Sequence, residues 1–467
     1  MKKIRKQMLN NKLSYLRFSL PAVLLVLILL NGCSLDFDAV DNLIRAPKLT
    51  GRYAAIESVF EKAVGSNVKL KSPRSGAYRT AYVLYDYDAD LVEEAIVFYS
   101  SETDEMTVRI HFLDYLNGEW VSAADEAGKE SEIHEVQFQD LNGDNCPEIL
   151  IVYNKKNSNR ILSVYNVRSK SNTTLPEVLS LATVQCADYQ CLDMNADGSQ
   201  EILYTVFETS AETGLQIPFV KVLSKDDNGE QLQYSVAASF AIDAEISSFE
   251  SITSDSLKEQ TRAYVDCRYA DDISYLTQII TWTPEKGYYM YVNEELMLQP
   301  YITTRLSRVF TTDADADGVA ELPDDSELPL SSAENMPADS EYLPIQRRYY
   351  RCDTDGLLTE AYCYYLDPLQ EYKLNLTTLS LQDRLSVTCD YTERKTRFYE
   401  YDPIAEDRGE ELFSIRVETT ASGALACYCE VAPYGEEMGF KSDEVLSAIS
   451  LNAKETEVMK DETNTGR

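Results

Sequence analysis

One nine-residue frame, Asp-x-(Asp/Asn)-x-Asp-x-x-x-Glu, occurs four times in this 467-residue chain and constrains its fold more than any other feature. The copies are Asp86–Glu94, Asp140–Glu148, Asp193–Glu201 and Asp313–Glu321. Their starts lie 54, 53 and 120 residues apart. The last interval is two steps of 60, so a degenerate copy is expected near residue 253, where Ser251–Glu259 and Ala263–Asp266 keep few of the acids. In a tight loop, side chains at positions 1, 3 and 5 point inward together. Position 7 offers a backbone carbonyl, and an acid at position 9 closes the shell. A hard cation seeking six to eight oxygens needs that arrangement. Structural calcium is the expected ion. The expected ligand sets are Asp140, Asn142, Asp144, Cys146 and Glu148; Asp193, Asn195, Asp197, Ser199 and Glu201; Asp86, Asp88, Asp90, Val92 and Glu94; and Asp313, Asp315, Asp317, Val319 and Glu321. Position 6 favours glycine or asparagine because the turn there calls for positive φ. Asn145, Gly198 and Gly318 meet that demand and Leu91 does not. The Asp140 and Asp193 loops therefore rank first. The Asp313 loop is followed by Pro323, which argues against a following strand.

The acid at position 9 and the strand-like runs behind it exclude an EF-hand, which places its glutamate at position 12 and continues as a helix. Glu94–Tyr99, Glu148–Tyr153 and Glu201–Phe207 are short, β-branched and apolar, the pattern of strands buried on both faces. Further strand-like runs follow each loop, among them Arg160–Val167, Tyr275–Trp282 and Leu358–Tyr365. The segment Val136–Val152, with Asp-Leu-Asn-Gly-Asp at its centre, resembles an FG-GAP or VCBS-type repeat of the kind found in integrin α-subunits. The resemblance covers roughly residues 75–375 and rests on the acidic loops and flanking strands, without the family's phenylalanine-glycine signature. It implies a β-propeller with calcium in loops joining two strands of a blade. The fold class expected is mainly β: a propeller of about five blades, six if a diverged one is counted, plus a small C-terminal α+β domain.

The N-terminus reads as an address. Residues 1–32 hold six bases and no acid, and the apolar run Leu20–Leu30 is about half the ~20 residues of a spanning helix. Gly32-Cys33 resembles a bacterial lipobox, with Asn31 a tolerated departure. That resemblance implies lipidation at Cys33, a membrane anchor through that lipid, and a place on the outer face of the bacterial cell membrane. Of the 43 bases, 37 remain beyond the leader against 78 acids, a surface that repels phosphate backbones and excludes a nucleic-acid partner. Only two histidines, His111 and His134, are present, which argues against histidine catalysis and classical zinc sites. Nine further cysteines are read mostly as small buried apolar residues. Cys352 and Cys363, flanking Asp353–Gly356, are the pair placed to bridge neighbouring strands.

The organisation expected is a leader at 1–32, an anchor and linker at 33–48, the propeller at 49–376 with an amphipathic helix at Ala54–Val64, an α+β domain at 377–453, and a polar tail at 454–467. Pro323–Tyr342 reads as an acidic insertion, and Ser442 as the N-cap of a helix reaching Leu451. Among 32 tyrosines, Tyr288, Tyr289 and Tyr291 with Trp282 suggest an aromatic platform for sugars, against the plainer reading of tyrosine as a strand residue. No nucleophile elbow, phosphate-cradling loop or zinc-protease motif is present. The reading is a calcium-stabilised binding module for an extracytoplasmic protein or glycan, and not an enzyme. The alternative is a surface enzyme acting on polysaccharide with the propeller as scaffold.

Overall fold

The computed structural model describes residues 51–155, 159–168, 174–226, 232–257, 260–271, 273–291, 304–305, 308–326, 331–335, 344–353, 358–382 and 384–452. The expected leader, Cys33 and the expected tail from 454 lie outside them. The chain divides into two units, Met1–Ser66 and Asn67–Arg467. In the first, α1 spans Arg52–Val64 and its two buried side chains, Ile56 and Phe60, stand one turn apart, as the apolar spacing predicts. Among the described residues no helix is long and apolar enough to cross a membrane.

Among the described residues the second unit is built from six sheets of four or five strands, five wholly antiparallel and met largely in sequence order. The first sheet contains Val68–Leu70, Tyr82–Tyr85, Glu94–Ser101, Asp104–Leu116 and Glu119–Ala127. Its first two strands share one edge of Glu94–Ser101. The second runs Ile133–Gln139, Glu148–Asn154, Arg160–Arg168, Glu177–Cys186, and the third Asp188–Leu192, Glu201–Thr209, Gln216–Lys225, Tyr234–Ala241. The fourth contains Ile246–Leu257, Gln260–Tyr269, Tyr275–Thr283 and Gly287–Met290, joined by Thr304–Arg305. The fifth runs Glu321–Ser326, Ile345–Cys352, Leu358–Asp367, Tyr372–Asn375 and Ile449–Leu451, and the sixth Ser332–Glu334, Leu385–Asp390, Lys395–Asp402, Asp407–Thr419 and Leu425–Val431.

The strands that follow the acidic loops are buried almost throughout, so their continuous apolar runs face neighbours on both sides. Each sheet packs on the next. Ile96, Phe98 and Phe112 of the first meet Ile149, Ile151 and Tyr165 of the second. Leu150, Leu162 and Val164 meet Ile202 and Tyr204 of the third. Leu203, Val220 and Val222 meet Ala263, Val265 and Ile280 of the fourth, and Tyr264 and Ile279 meet Leu322, Cys352 and Leu358 of the fifth. Among the described residues no buried apolar cluster joins the sixth sheet to the first.

The core is continuous across residue 376. Tyr365, Tyr372 and Leu374 of the fifth sheet share one cluster with Phe398, Phe413 and Ile415 of the sixth, and Ile449–Leu451 pairs with Tyr372–Leu374. Ser442 does not cap its helix. Lys441 holds that place, the helix is Ser442–Ser447, and the apolar residues after it form a strand. Pro323 does not prevent a strand either. Glu321–Ser326 pairs with Gln346–Arg351 at the edge of the fifth sheet, and an edge strand tolerates a missing N–H. The acidic insertion supplies structure too, since Ser332–Glu334 pairs in parallel with Thr388–Asp390.

Candidate metal centre

Backbone geometry makes the four loops copies of one another. At position 4, Ala89, Gly143, Ala196 and Ala316 take positive φ, and at position 6 so do Leu91, Asn145, Gly198 and Gly318. This double reversal aims the N–H of position 6 at the position 1 carboxylate: Leu91 at Asp86, Asn145 at Asp140, Gly198 at Asp193 and Gly318 at Asp313, over 2.8–3.1 Å. The position 5 aspartate accepts from the N–H of position 7 in each loop. The position 9 glutamate accepts from the N–H of position 2: Tyr87 to Glu94, Leu141 to Glu148, Met194 to Glu201 and Ala314 to Glu321. All four glutamates are buried, although each begins a strand. The turn preference expected at position 6 is present, and Leu91 adopts the same conformation at φ 71° while fully exposed. The reversal at position 4 gave no signal in the sequence, because alanine fills three of its four places.

The loops also touch in sequence. The Cys146 thiol meets the Tyr87 carbonyl at 3.6 Å, and Gln200 N–H donates to the Leu141 carbonyl at 2.6 Å. Gly143, at φ 75°, lies so close that a Cβ there would stand 2.8 Å from the Gly198 carbonyl oxygen. A side chain is excluded both by backbone conformation and by the neighbouring loop.

What differs is the charge. In the first loop, oxygens of Asp86, Asp88, Asp90 and Glu94 lie within 4.8 Å of one another. Glu94 Oε1 is buried with no hydrogen-bond partner. One step along the strand register from the Ala95–Leu113 pair brings Asp114 opposite Glu94, and Asp114 Oδ2 is also buried and unpartnered. Burial pushes the Glu94 carboxyl up to about 9, with the Asp88 charge adding to it, and raises Asp88 to about 6, with Asp90 adding to it. Burial raises Asp114 as well. Four converging carboxylates, one of them with an orphaned buried oxygen, are a donor set that a divalent cation would complete. These residues could hold a metal ion.

The two loops ranked first by their turn residues are less acidic inside. In the second, Asn142 Nδ2 donates to Glu148 Oε1 at 2.6 Å and Asn166 Nδ2 to the same oxygen at 2.9 Å. Burial still raises Glu148 to about 7. In the third, Asn195 Nδ2 donates to Asp197 at 2.9 Å and lies 3.5 Å from the Tyr288 hydroxyl. Burial raises Glu201. The fourth loop gathers Asp313, Asp315 and Asp317 within 4.8 Å of one another, yet Arg351 Nη2 stands 2.6 Å from Asp317, 2.9 Å from Glu321 and 3.5 Å from Asp315.

The degenerate copy expected near 253 is not a loop. Ile246–Leu257 is one strand paired with Gln260–Tyr269, and buried arginines replace the acidic frame. Arg262 holds Asp255 through two bonds of 2.8 Å, and Arg305 holds Asp266 at 2.8 Å. Asp255 also accepts from Ala320 N–H of the Asp313 loop at 3.0 Å. Arg351, Asp114, Asn166 and the arginines of the two buried pairs stood outside any loop motif and were missed, because they come from other strands of the sheet.

The other candidates are accounted for by packing. Trp282 and Tyr288 pack on the cluster between the third and fourth sheets, and Tyr291 is buried. Histidines 111 and 134 meet Ser122 and Ser75. Among the described residues no disulfide joins the nine cysteines, and Cys363 pairs in register with Arg348, not with Cys352. No family model matches the chain, and no curated protein matches it.

Proposed function

We propose that this is an exported, lipid-anchored binding protein whose FG-GAP/VCBS-like propeller is tied by calcium and presents a face to an extracytoplasmic protein or glycan. The observation that carries the reading is the first loop, where four carboxylates converge and Glu94 keeps a buried oxygen without a donor. A cation there is structural: it offsets the repulsion among Asp86, Asp88, Asp90 and Glu94 and anchors the strand Glu94–Ser101 to its edge partner, so binding energy becomes folding energy. The Asp140 and Asp193 loops add two weaker sites of the same build. Six consecutive sheets, each packed on the next, support a propeller-like arrangement. The acidic exterior favours calcium-bridged contact with anionic polymers outside the cell.

Thermal unfolding in EDTA and across a calcium series tests the metal. A site at 100 times its dissociation constant adds about 2.7 kcal/mol. The midpoint should rise with calcium, and Asp86→Ala with Asp88→Ala should remove the largest part of that rise. An unchanged midpoint in the folded chain would leave the loops as plain turns. Retention on anionic glycan resins, lost on chelation and restored by calcium, tests the binding role.

A further inference from the structure

The residue facing the position 9 glutamate across the sheet changes sign along the chain. It is Asp114 in the first sheet, Asn166 in the second and Arg351 in the fifth, where Glu321 and Arg351 are direct partners. We infer that the Arg351 guanidinium takes the cation's place in the Asp313 loop, so that this loop is closed by the chain's own side chain and holds no calcium. The inference rests on the metal reading of the other loops for its contrast, but not for its geometry.

Three contacts carry it. Arg351 Nη2 is within 3.5 Å of Asp315, Asp317 and Glu321, which are positions 3, 5 and 9 of the frame. A calcium ion would need oxygens from the same three side chains, since it takes six to eight. Glu321 is the clearest case. In the first loop the equivalent Glu94 joins the three aspartates in one group of converging oxygens. In the Asp313 loop only the aspartates converge, and Glu321 Oε1 is turned to Arg351 at 2.9 Å. The fourth sheet, immediately before it, holds its acids in the same manner, Asp255 by Arg262 and Asp266 by Arg305. Two consecutive sheets thus answer their buried acids with guanidinium groups. The planar fork of arginine suits two carboxylates at once, which a lysine ammonium would not reproduce.

The experiment is calcium stoichiometry of the full chain in detergent, by equilibrium dialysis at concentrations that saturate binding, with near-UV circular dichroism as a check on folding. Asp313→Asn with Asp315→Asn should leave the number of bound ions unchanged. Arg351→Gln should gain one ion per chain, and adding the two aspartate changes to it should abolish the gain. A drop of one ion on changing Asp313 and Asp315 in the otherwise native chain would overturn the inference, as would a folded Arg351→Gln protein with no added ion. Where Arg351→Gln fails to fold, the aspartate variant decides alone. A native chain that binds no calcium, together with a gained ion in Arg351→Gln, would sink the metal reading of the first three loops and leave this inference standing.

Discussion

The first three sheets and the two that follow face the same electrostatic problem and solve it in opposite ways. Each buries an acid, at the start of a strand in every sheet but the fourth, where Asp255 and Asp266 lie within strands, and a buried carboxylate is costly unless something positive or hydrogen-bonding meets it. In the first sheet the chain offers almost nothing: Glu94 and Asp114 each keep an orphaned oxygen. In the second and third it offers amide and hydroxyl groups, from Asn142, Asn166 and Tyr288. In the fourth and fifth it offers Arg262, Arg305 and Arg351. The loop backbone is the same in the first and fifth sheets, down to the hydrogen bond from position 2 to position 9. Backbone geometry alone therefore does not say which loop needs a metal. The side chain across the strand does.

The largest effect should come from the arginine side of the comparison. Arg262→Met would leave Asp255 buried with only Tyr264 and the Ala320 N–H as donors. Breaking a buried pair by removing one partner costs about 3–5 kcal/mol. The unfolding midpoint should fall by the same amount in EDTA and in calcium. A loss that calcium repaired would show that the fourth sheet also answers to metal, and the contrast would collapse.

Hydrogen exchange read segment by segment sharpens the contrast next. On chelation, amides of Glu94–Ser101, Glu148–Asn154 and Glu201–Thr209 should lose protection, by about a hundredfold for a site that had been held at 100 times its dissociation constant. Amides of Gln260–Tyr269 and Ile345–Cys352 should not change. A uniform loss across all five sheets would mean that they open together and that metal dependence is not local.

The pH dependence of the metal-free protein follows from the raised acids. Below about 4.5 the Glu94 carboxyl holds its proton in both the folded and the unfolded chain and contributes no difference. Above that value the unfolded carboxyl ionises while the folded one stays protonated toward about 9, so stability falls as pH rises through the interval. Glu148, raised to about 7, adds to the slope over the lower half. In EDTA the midpoint should therefore decline from mildly acidic to alkaline pH, and saturating calcium should flatten the decline. A metal-free midpoint that rose with pH would contradict the burial of these acids.

Much of this fold was legible because its periodicities are simple. The acidic frame located four loops, and the apolar runs behind it located the strands that carry the core, Glu94–Ser101 and Glu148–Asn154 among them. The fourth sheet was misread because the few acids it keeps stand in different surroundings. Asp255 looks like a remnant of a loop, yet in a continuous strand it is half of a buried ion pair with Arg262, seven residues on. Pro323 misled for a related reason, since whether proline breaks a strand depends on whether that strand is an edge, which only the sheet order reveals. Arg351 lies 30 residues beyond Glu321, and no spacing rule links them until the strands are paired.

The ranking of loops by their turn residue leads to the smallest and cleanest effect. Leu91 occupies position 6 of the first loop at φ 71° with its side chain in solvent, so it contributes strain and no packing. The left-handed region costs a residue with a Cβ about 1–2 kcal/mol, and glycine relieves it while losing more freedom on folding. Leu91→Gly should raise stability by about 0.5–1 kcal/mol, with calcium and without it, measured by denaturant midpoint at unchanged slope. The acids of that loop would keep their places, because the Leu91 N–H that meets Asp86 at 3.0 Å belongs to the backbone. A gain in calcium alone would mean that the leucine hinders the ion and not the turn. A loss in both conditions would mean that the extra freedom glycine gives the unfolded chain outweighs the strain it relieves in the turn.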